Sequence, residues 1–155
     1  MPPRSQFGEL TVARTYRLTL LRRLGNLWMT VFIRLGVAPQ HYYLLGVKGR
    51  KTGRVYSTPV WLVEDGDRYL TSPYGVVNWV KNARASGAVT LTRGLRSQTA
   101  KVVEVDREEG APVLKTYLAH VSVVRPFFNV RPDSPLEAFA DEASQHPVFR
   151  LVKPA

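Results

Sequence analysis

The sequence predicts a mainly β fold with flanking helices (α+β), a small β-barrel with helices outside it. Three observations point there. Five or six short strand-like segments follow one another, mostly in sequence, between His41 and Val105, with a last one at Pro147 to Val152. Gly and Asp turns punctuate them. Pro59 stands inside one apolar run, which confines that strand to an edge or a bulge. At 155 residues, 45% hydrophobic and 22% charged, the chain is globular and can bury one core. A barrel this small is filled by its own side chains. A large ligand therefore lies along its outer face or at a subunit interface.

Taken in order, residues 1–39 read as a basic N-terminal tail and amphipathic helix, and residues 40–155 as the barrel domain. Residues 1 to 10 read as a loose tail. From Val12 to Leu35 the pattern is helical, with Tyr16, Leu20, Leu24, Leu27, Trp28, Val31 and Leu35 in one stripe. Gly36 is placed as its C-cap and Pro39 as a stop. Strands are predicted over His41 to Val47 and Val55 to Val63. Glu64 to Asp67 is a hairpin turn, and Arg68 to Ser72 the returning strand. Val76 to Ser86 reads as a short helix closed by Gly87. Ala88 to Arg93 and Gln98 to Val105 form a hairpin around Gly94. Asp106, with Glu109 three residues on, opens a helix running to Val121, with Pro112 tolerated only in its first turn. Ser134, Pro135 and Glu137 mark another helix start, with Ser134 as the cap.

Composition excludes several chemistries. There is no cysteine, hence no disulfide, thiolate nucleophile or zinc–sulfur site. His41, His120 and His146 are far apart in sequence and make no metal-spaced pair. The longest uncharged run in the helical segment, Leu24 to Ile33, is ten residues, against roughly twenty for a membrane span. It lacks a small-residue cleavage site, so the expected location is cytoplasmic.

Charge is unevenly placed. Residues 1–54 hold ten Lys or Arg and one acid, Glu9, of a formal net charge of +10 for the chain. That field attracts an anion: nucleic acid, anionic lipid or a polyanionic small molecule. No zinc finger, RNA-recognition signature or arginine-rich tail supports nucleic acid. A basic helix carrying Trp28 and Phe32 suits either the inner face of a membrane, the open end of the barrel, or a partner subunit.

The turn Gly49-Arg50-Lys51-Thr52-Gly53 concentrates that charge, with Lys48 and Arg54 beside it. Successive N–H groups of a Gly-flanked turn can cup an anion, and Thr52 and Arg50 can complete a phosphate or carboxylate site. It is not a Walker A loop, because Arg50 stands where Gly would precede Lys51. A second cluster, Ser72-Pro73-Tyr74-Gly75 followed by Trp79 and Asn82 on one helix face, has the components to border a flat heterocycle. Thr58, Pro59 and Trp61 reinforce it.

These segments together, G-R-K-T-G, S-T-P-V-W, E-D-G-D-R and S-P-Y-G-x-x-x-W-x-x-N, with the closing H-P-V-F-R-L, resemble the deazaflavin (coenzyme F-420)-dependent nitroreductase family. The resemblance runs from about residue 40 to the C-terminus. It implies the split β-barrel of the flavin/deazaflavin oxidoreductases, FMN-binding-protein-like, with coenzyme F-420 as cofactor and FMN as the rival. By position, Arg50, Lys51 and Thr52 match the segment that binds the phosphate-bearing tail. Tyr56, Ser57, Thr58, Pro59, Val60 and Trp61 match the strand bordering the deazaflavin. Ser72, Pro73, Tyr74 and Gly75 match the third segment. Asn78, Trp79, Val80, Lys81 and Asn82 match the fourth.

The implied activity is hydride transfer from reduced deazaflavin to a quinone, an activated alkene or a nitro-aromatic. Tyr74 and Tyr117 are the candidate proton donors. Phe127 and Phe128 are candidates for the acceptor pocket. Split-barrel relatives include homodimers and monomers. Two other readings stay open: a non-catalytic F-420 or flavin carrier, and a basic module for membrane or nucleic acid.

Overall fold

The computed structural model describes the backbone of residues 20–154 and the side chains from residue 26. Its elements are α1 (Leu20–Arg34), β1 (Tyr42–Lys48), β2 (Val55–Trp61), β3 (Val63–Asp65), β4 (Asp67–Thr71), α2 (Asn78–Ser86), β5 (Ala88–Arg93), β6 (Arg96–Glu104), α3 (Arg107–His120), a 3-10 helix over Ser122–Phe127, α4 (Leu136–Glu142) and β7 (Val148–Val152). The stretch of the N-terminal helix before Leu20, with Tyr16, lies outside the described residues.

Seven antiparallel strands form one sheet in the order β2-β1-β5-β6-β7-β4-β3. Leu62 alone separates β2 from β3, yet these strands are the two ends of that order. The sheet must therefore curl until its ends meet, which makes a split barrel. Leu62 is fully buried at this corner, and its N–H donates to the His41 carbonyl at 2.9 Å. The sequence predicted one strand from Val55 to Val63; the break at Leu62 is where it changes partner. Pro59 lies on edge strand β2, opposite Leu44, as its missing N–H requires.

Leu45, Val47, Leu62, Leu70, Leu91 and Phe149 fill the barrel, with Val80 and Ala83 of α2 capping it. A second cluster joins α3 and α4 to the outside of the sheet through Val63, Leu114, Leu118, Phe139 and Val148. Leu44, pointing opposite to Leu45, packs under Ile33 of α1. Arg93 secures that helix end by donating to the carbonyls of Ala38, Pro39 and Tyr42.

The described members of the α1 stripe face outward, a question the sequence left open: Leu27 and Trp28 are 60% and 62% exposed, and Val31 and Leu35 are exposed too. Ile33 and Met29 make the contact with the barrel instead. Spacing locates an apolar face but not what covers it. Pro112 falls in the second turn of α3, not the first. Its missing N–H leaves the Glu108 carbonyl without a helical donor, on a solvent-exposed side of the helix. Ser134 does not cap α4. Its hydroxyl accepts from the Arg131 N–H at 2.8 Å, and Pro135 occupies the cap position. Asp106 does cap α3, accepting from the Glu109 N–H at 2.8 Å. The Glu109 carboxylate turns instead to Arg150, at 2.7 and 2.9 Å, and to the Tyr69 hydroxyl.

Candidate active site

The connection between β1 and β2 is a tight basic turn. The Gly49 N–H donates to the Arg54 carbonyl at 2.6 Å, and the Gly53 N–H to the Gly49 carbonyl at 2.9 Å. Gly53 takes φ +72°, and a Cβ on Gly49 would stand 2.7 Å from the Tyr56 ring and 2.8 Å from Thr52 Oγ1. Both positions thus require glycine. Thr52 Oγ1 accepts from the Arg54 N–H at 3.2 Å and pairs with the Tyr56 hydroxyl at 3.0 Å. Arg50 donates twice to Asn82 Oδ1, through its backbone N–H at 3.1 Å and Nη1 at 2.7 Å. Lys48, Lys51 and Arg54 are exposed around the turn.

Further along β2 the molecule opens into a cleft of about 750 Å³. Thr58, Pro59, Val60 and Trp61 form one wall. Pro73 and Tyr74 form another, followed by Val76, Val77, Asn78 and Trp79. Tyr117 and the segment Val121–Val124 close a third side, and Asn26 and Met29 of α1 reach over. Trp61 stacks on His120, centroids 5.4 Å apart and planes 18° apart, and tilts against Tyr117 at 5.9 Å. Trp79 is braced by Phe149.

The turn bearing Pro73 and Tyr74 is wired from behind. The Ser72 hydroxyl donates to the Gly75 carbonyl, and the Ser72 N–H donates to the Pro147 carbonyl at 2.9 Å. His146 Nδ1 faces the Ser72 carbonyl at 3.3 Å, and its ring stacks on Phe128 at 3.9 Å. Its Nε2 approaches Glu142 Oε2 to 3.0 Å, although neither atom has an aligned hydrogen bond. Burial lowers the His146 pKa, while the Glu142 carboxylate pulls the other way.

Polar groups gather at one end of the cleft. Thr71 Oγ1 is buried with no aligned hydrogen-bond partner. Tyr117 lies beside it. Burial pushes the Tyr117 hydroxyl well above the ordinary tyrosine value, the nearby Tyr74 adds to this, and Thr71 partly offsets it. Tyr117 therefore stays protonated and can donate a hydrogen bond.

Of the residues singled out in the sequence, Thr58, Pro59, Val60, Trp61, Pro73, Tyr74, Asn78, Trp79 and Tyr117 come together around the cleft. Arg50, Lys51, Thr52 and Asn82 belong to the basic turn, with Tyr56 and Ser57 exposed on the strand between turn and cleft. Ser72 and Gly75 support the cleft wall from behind. Val80 is in the barrel core, and Lys81 is exposed. Phe127 and Phe128 do not line the cleft: Phe127 packs edge-on beneath Tyr74, and Phe128 lies on His146. Both are spent on holding that wall. Sequence reasoning missed Asn26 and Met29 of α1, Tyr42, Thr71, Val76 and Val77, and the valines at 121, 123 and 124. The apolar run after His120 was the available signal for the last. Among the described residues, no group of three His, Cys, Asp or Glu could hold a metal.

A family model described as F420H(2)-dependent quinone reductase matches residues 21–131. No curated protein matches the chain. Similar solved structures include HutZ, the heme storage protein from Vibrio cholerae, at 11% identity and TM-score 0.52, covering 75% of this chain and 83% of that one. The protein Atu2129 from Agrobacterium tumefaciens, of unknown function, aligns at 13% identity and TM-score 0.52, covering 83% and 54%. An F420-H2 dependent reductase (FDR-A) aligns at 18% identity and TM-score 0.49, covering 72% and 94%. At such identities the first two speak for the fold alone. The family match spans more than two thirds of the sequence, and the chain belongs to the F420H(2)-dependent quinone reductase family.

Proposed function

We propose that this F-420-dependent reductase seats the deazaflavin ring between Trp61, Tyr74 and Trp79, places the phosphate-bearing tail on the Gly49–Gly53 turn, and reduces a quinone in the remainder of the cleft. The observation that carries the reading is the continuity of the two sites. Strand β2 runs from the basic turn at Val55 to the cleft wall at Thr58, about 10 Å at strand rise. A ligand with a flat ring and an anionic tail matches that layout.

The residues suit the cofactor on three counts. The aromatic side chains offer flat faces, the buried Thr71 Oγ1 beside Tyr117 adds a polar group to the cleft lining, and the turn combines glycine with Arg50 and Lys51. Reduced F-420, when bound, supplies a hydride. The chain's own residues do the rest. Trp61 and Trp79 orient and shield from water. The quinone gains a proton as well as the hydride on becoming a hydroquinone, and negative charge builds on its second oxygen. Tyr117, kept protonated by burial, donates a hydrogen bond to that oxygen. Water at the open cleft supplies the net proton. Tyr74, on the adjoining wall of the cleft, stands as a second donor.

Steady-state oxidation of reduced F-420 by a short-chain benzoquinone, an activated alkene and a nitro-aromatic tests this. The quinone is expected to have the highest kcat/KM. F-420 binding without turnover on any acceptor would replace the reductase reading with a carrier.

The outward face of α1 supports a membrane-borne acceptor. Leu27, Trp28, Val31 and Leu35 are exposed beside a strongly basic N-terminal third. No described helix is long and apolar enough to cross a membrane, so the proposed association is peripheral. Sedimentation with vesicles of anionic lipid should carry the protein down, and Trp28→Ser should weaken it. Equal recovery with anionic vesicles and with none would contradict it.

A further inference from the structure

We infer that Asn82 is a positioning residue for the anion-binding turn: it holds Arg50 in place and acts on the cofactor's tail through Arg50 without touching the ring. This rests on the tail assignment made above. The resemblance places Asn82 among cofactor contacts, but the geometry gives it another task. Asn82 is 5% exposed and does not line the cleft. Its Oδ1 takes two donors from one residue 32 positions away, the Arg50 N–H at 3.1 Å and Nη1 at 2.7 Å. The Arg50 backbone and side chain are thereby fixed together.

The chemical consequence follows from the donor count. A guanidinium carries five N–H donors, and one goes to Asn82 through Nη1. The others remain for an anion, with the full positive charge, because the partner is a neutral carboxamide. A carboxylate at position 82 would hold Arg50 as firmly but cancel its charge. An aliphatic residue would leave the charge but release a long side chain and the turn's backbone with it. Asn is the side chain that restrains Arg50 at no electrostatic cost. Asn82 also lies one helical turn beyond Trp79, which lines the cleft, so α2 connects tail site and ring site through one short rigid element.

Two ligands separate this role from a general structural one. Oxidised F-420 and the tail-free deazaflavin riboside, which shares the ring and lacks the phosphodiester and glutamates, are titrated by fluorescence into wild type, Asn82→Ala, Asn82→Asp and Lys51→Ala. Asn82→Ala should weaken F-420 about tenfold and leave the riboside unchanged. Asn82→Asp should weaken F-420 as well and flatten its salt dependence, although Arg50 stays tethered. Alanine is a strong helix former, so α2 tolerates it. Equal weakening of both ligands by Asn82→Ala would overturn the inference and return Asn82 to the ring site. Wild-type affinity of Asn82→Ala for both, with F-420 weakened by Lys51→Ala, would also overturn it while sparing the tail assignment. If Lys51→Ala leaves F-420 untouched, the tail lies elsewhere and both fail.

Discussion

Trp61 and His120 lie ring on ring, centroids 5.4 Å apart and planes 18° from parallel, and so lock the last turn of α3 to the last residue of β2. That contact fixes Tyr117, one turn earlier on α3, relative to the cleft wall Thr58–Trp61. Trp61→Ala should cost about 2 kcal/mol of stability and lower kcat by loosening Tyr117. Thermal unfolding and steady-state kinetics on one preparation check both. His120→Ala removes only the stack and should cost less than half as much.

Tyr117 is the proposed hydrogen-bond donor to the developing oxyanion. Tyr117→Phe keeps the ring and its packing and removes the donor. The turnover rate should fall about a hundredfold with KM nearly unchanged. An unchanged kcat would move the role to Tyr74.

The same residue sets an alkaline limit. The unfolded chain ionises its tyrosines near pH 10, whereas buried Tyr117 keeps its proton above that. The folded state then binds more protons, so stability is fully present below about pH 10 and falls as pH rises beyond it. Tyr69, raised by burial and by Glu109, acts in the same direction. Denaturant unfolding across this range should lose about 1.4 kcal/mol per pH unit for Tyr117. Tyr117→Phe should remove that part of the slope.

Gly49 and Gly53 should be intolerant for different reasons. At Gly53 the penalty is the left-handed backbone, about 1 to 2 kcal/mol for alanine. At Gly49 it is the collision with Tyr56 and Thr52. Gly49→Ala should therefore open the turn and weaken F-420 about tenfold without melting the barrel. Paired binding and unfolding curves distinguish the two.

Local signals made most of this fold legible. The turns at Gly66 and Gly94, the stop after Ser86 and the edge proline at 59 all follow from one or two residues each. What escaped depends on contacts distant in sequence. Leu62 gives no local sign that the strand changes partner there, because β3, the other edge of the sheet, is tied in only through β4 to β7 at the far end of the chain. The α1 stripe has helical spacing whether it is buried or bare. Phe127 and Phe128 look like pocket residues until Tyr74 and His146 are found on top of them. The candidate site was visible as four separated segments, since glycine, basic and aromatic residues at fixed spacing are unusual together. The Asn82–Arg50 tie was not visible, because nothing in either segment names the other.

The most direct test is a fluorescence titration of the purified protein with oxidised F-420 and, in parallel, with FMN at low salt. The account predicts F-420 binding in the micromolar range or tighter, about −8 kcal/mol, with FMN weaker. No F-420 binding, or FMN binding more tightly, would contradict the assignment of the cleft and the basic turn to the deazaflavin cofactor.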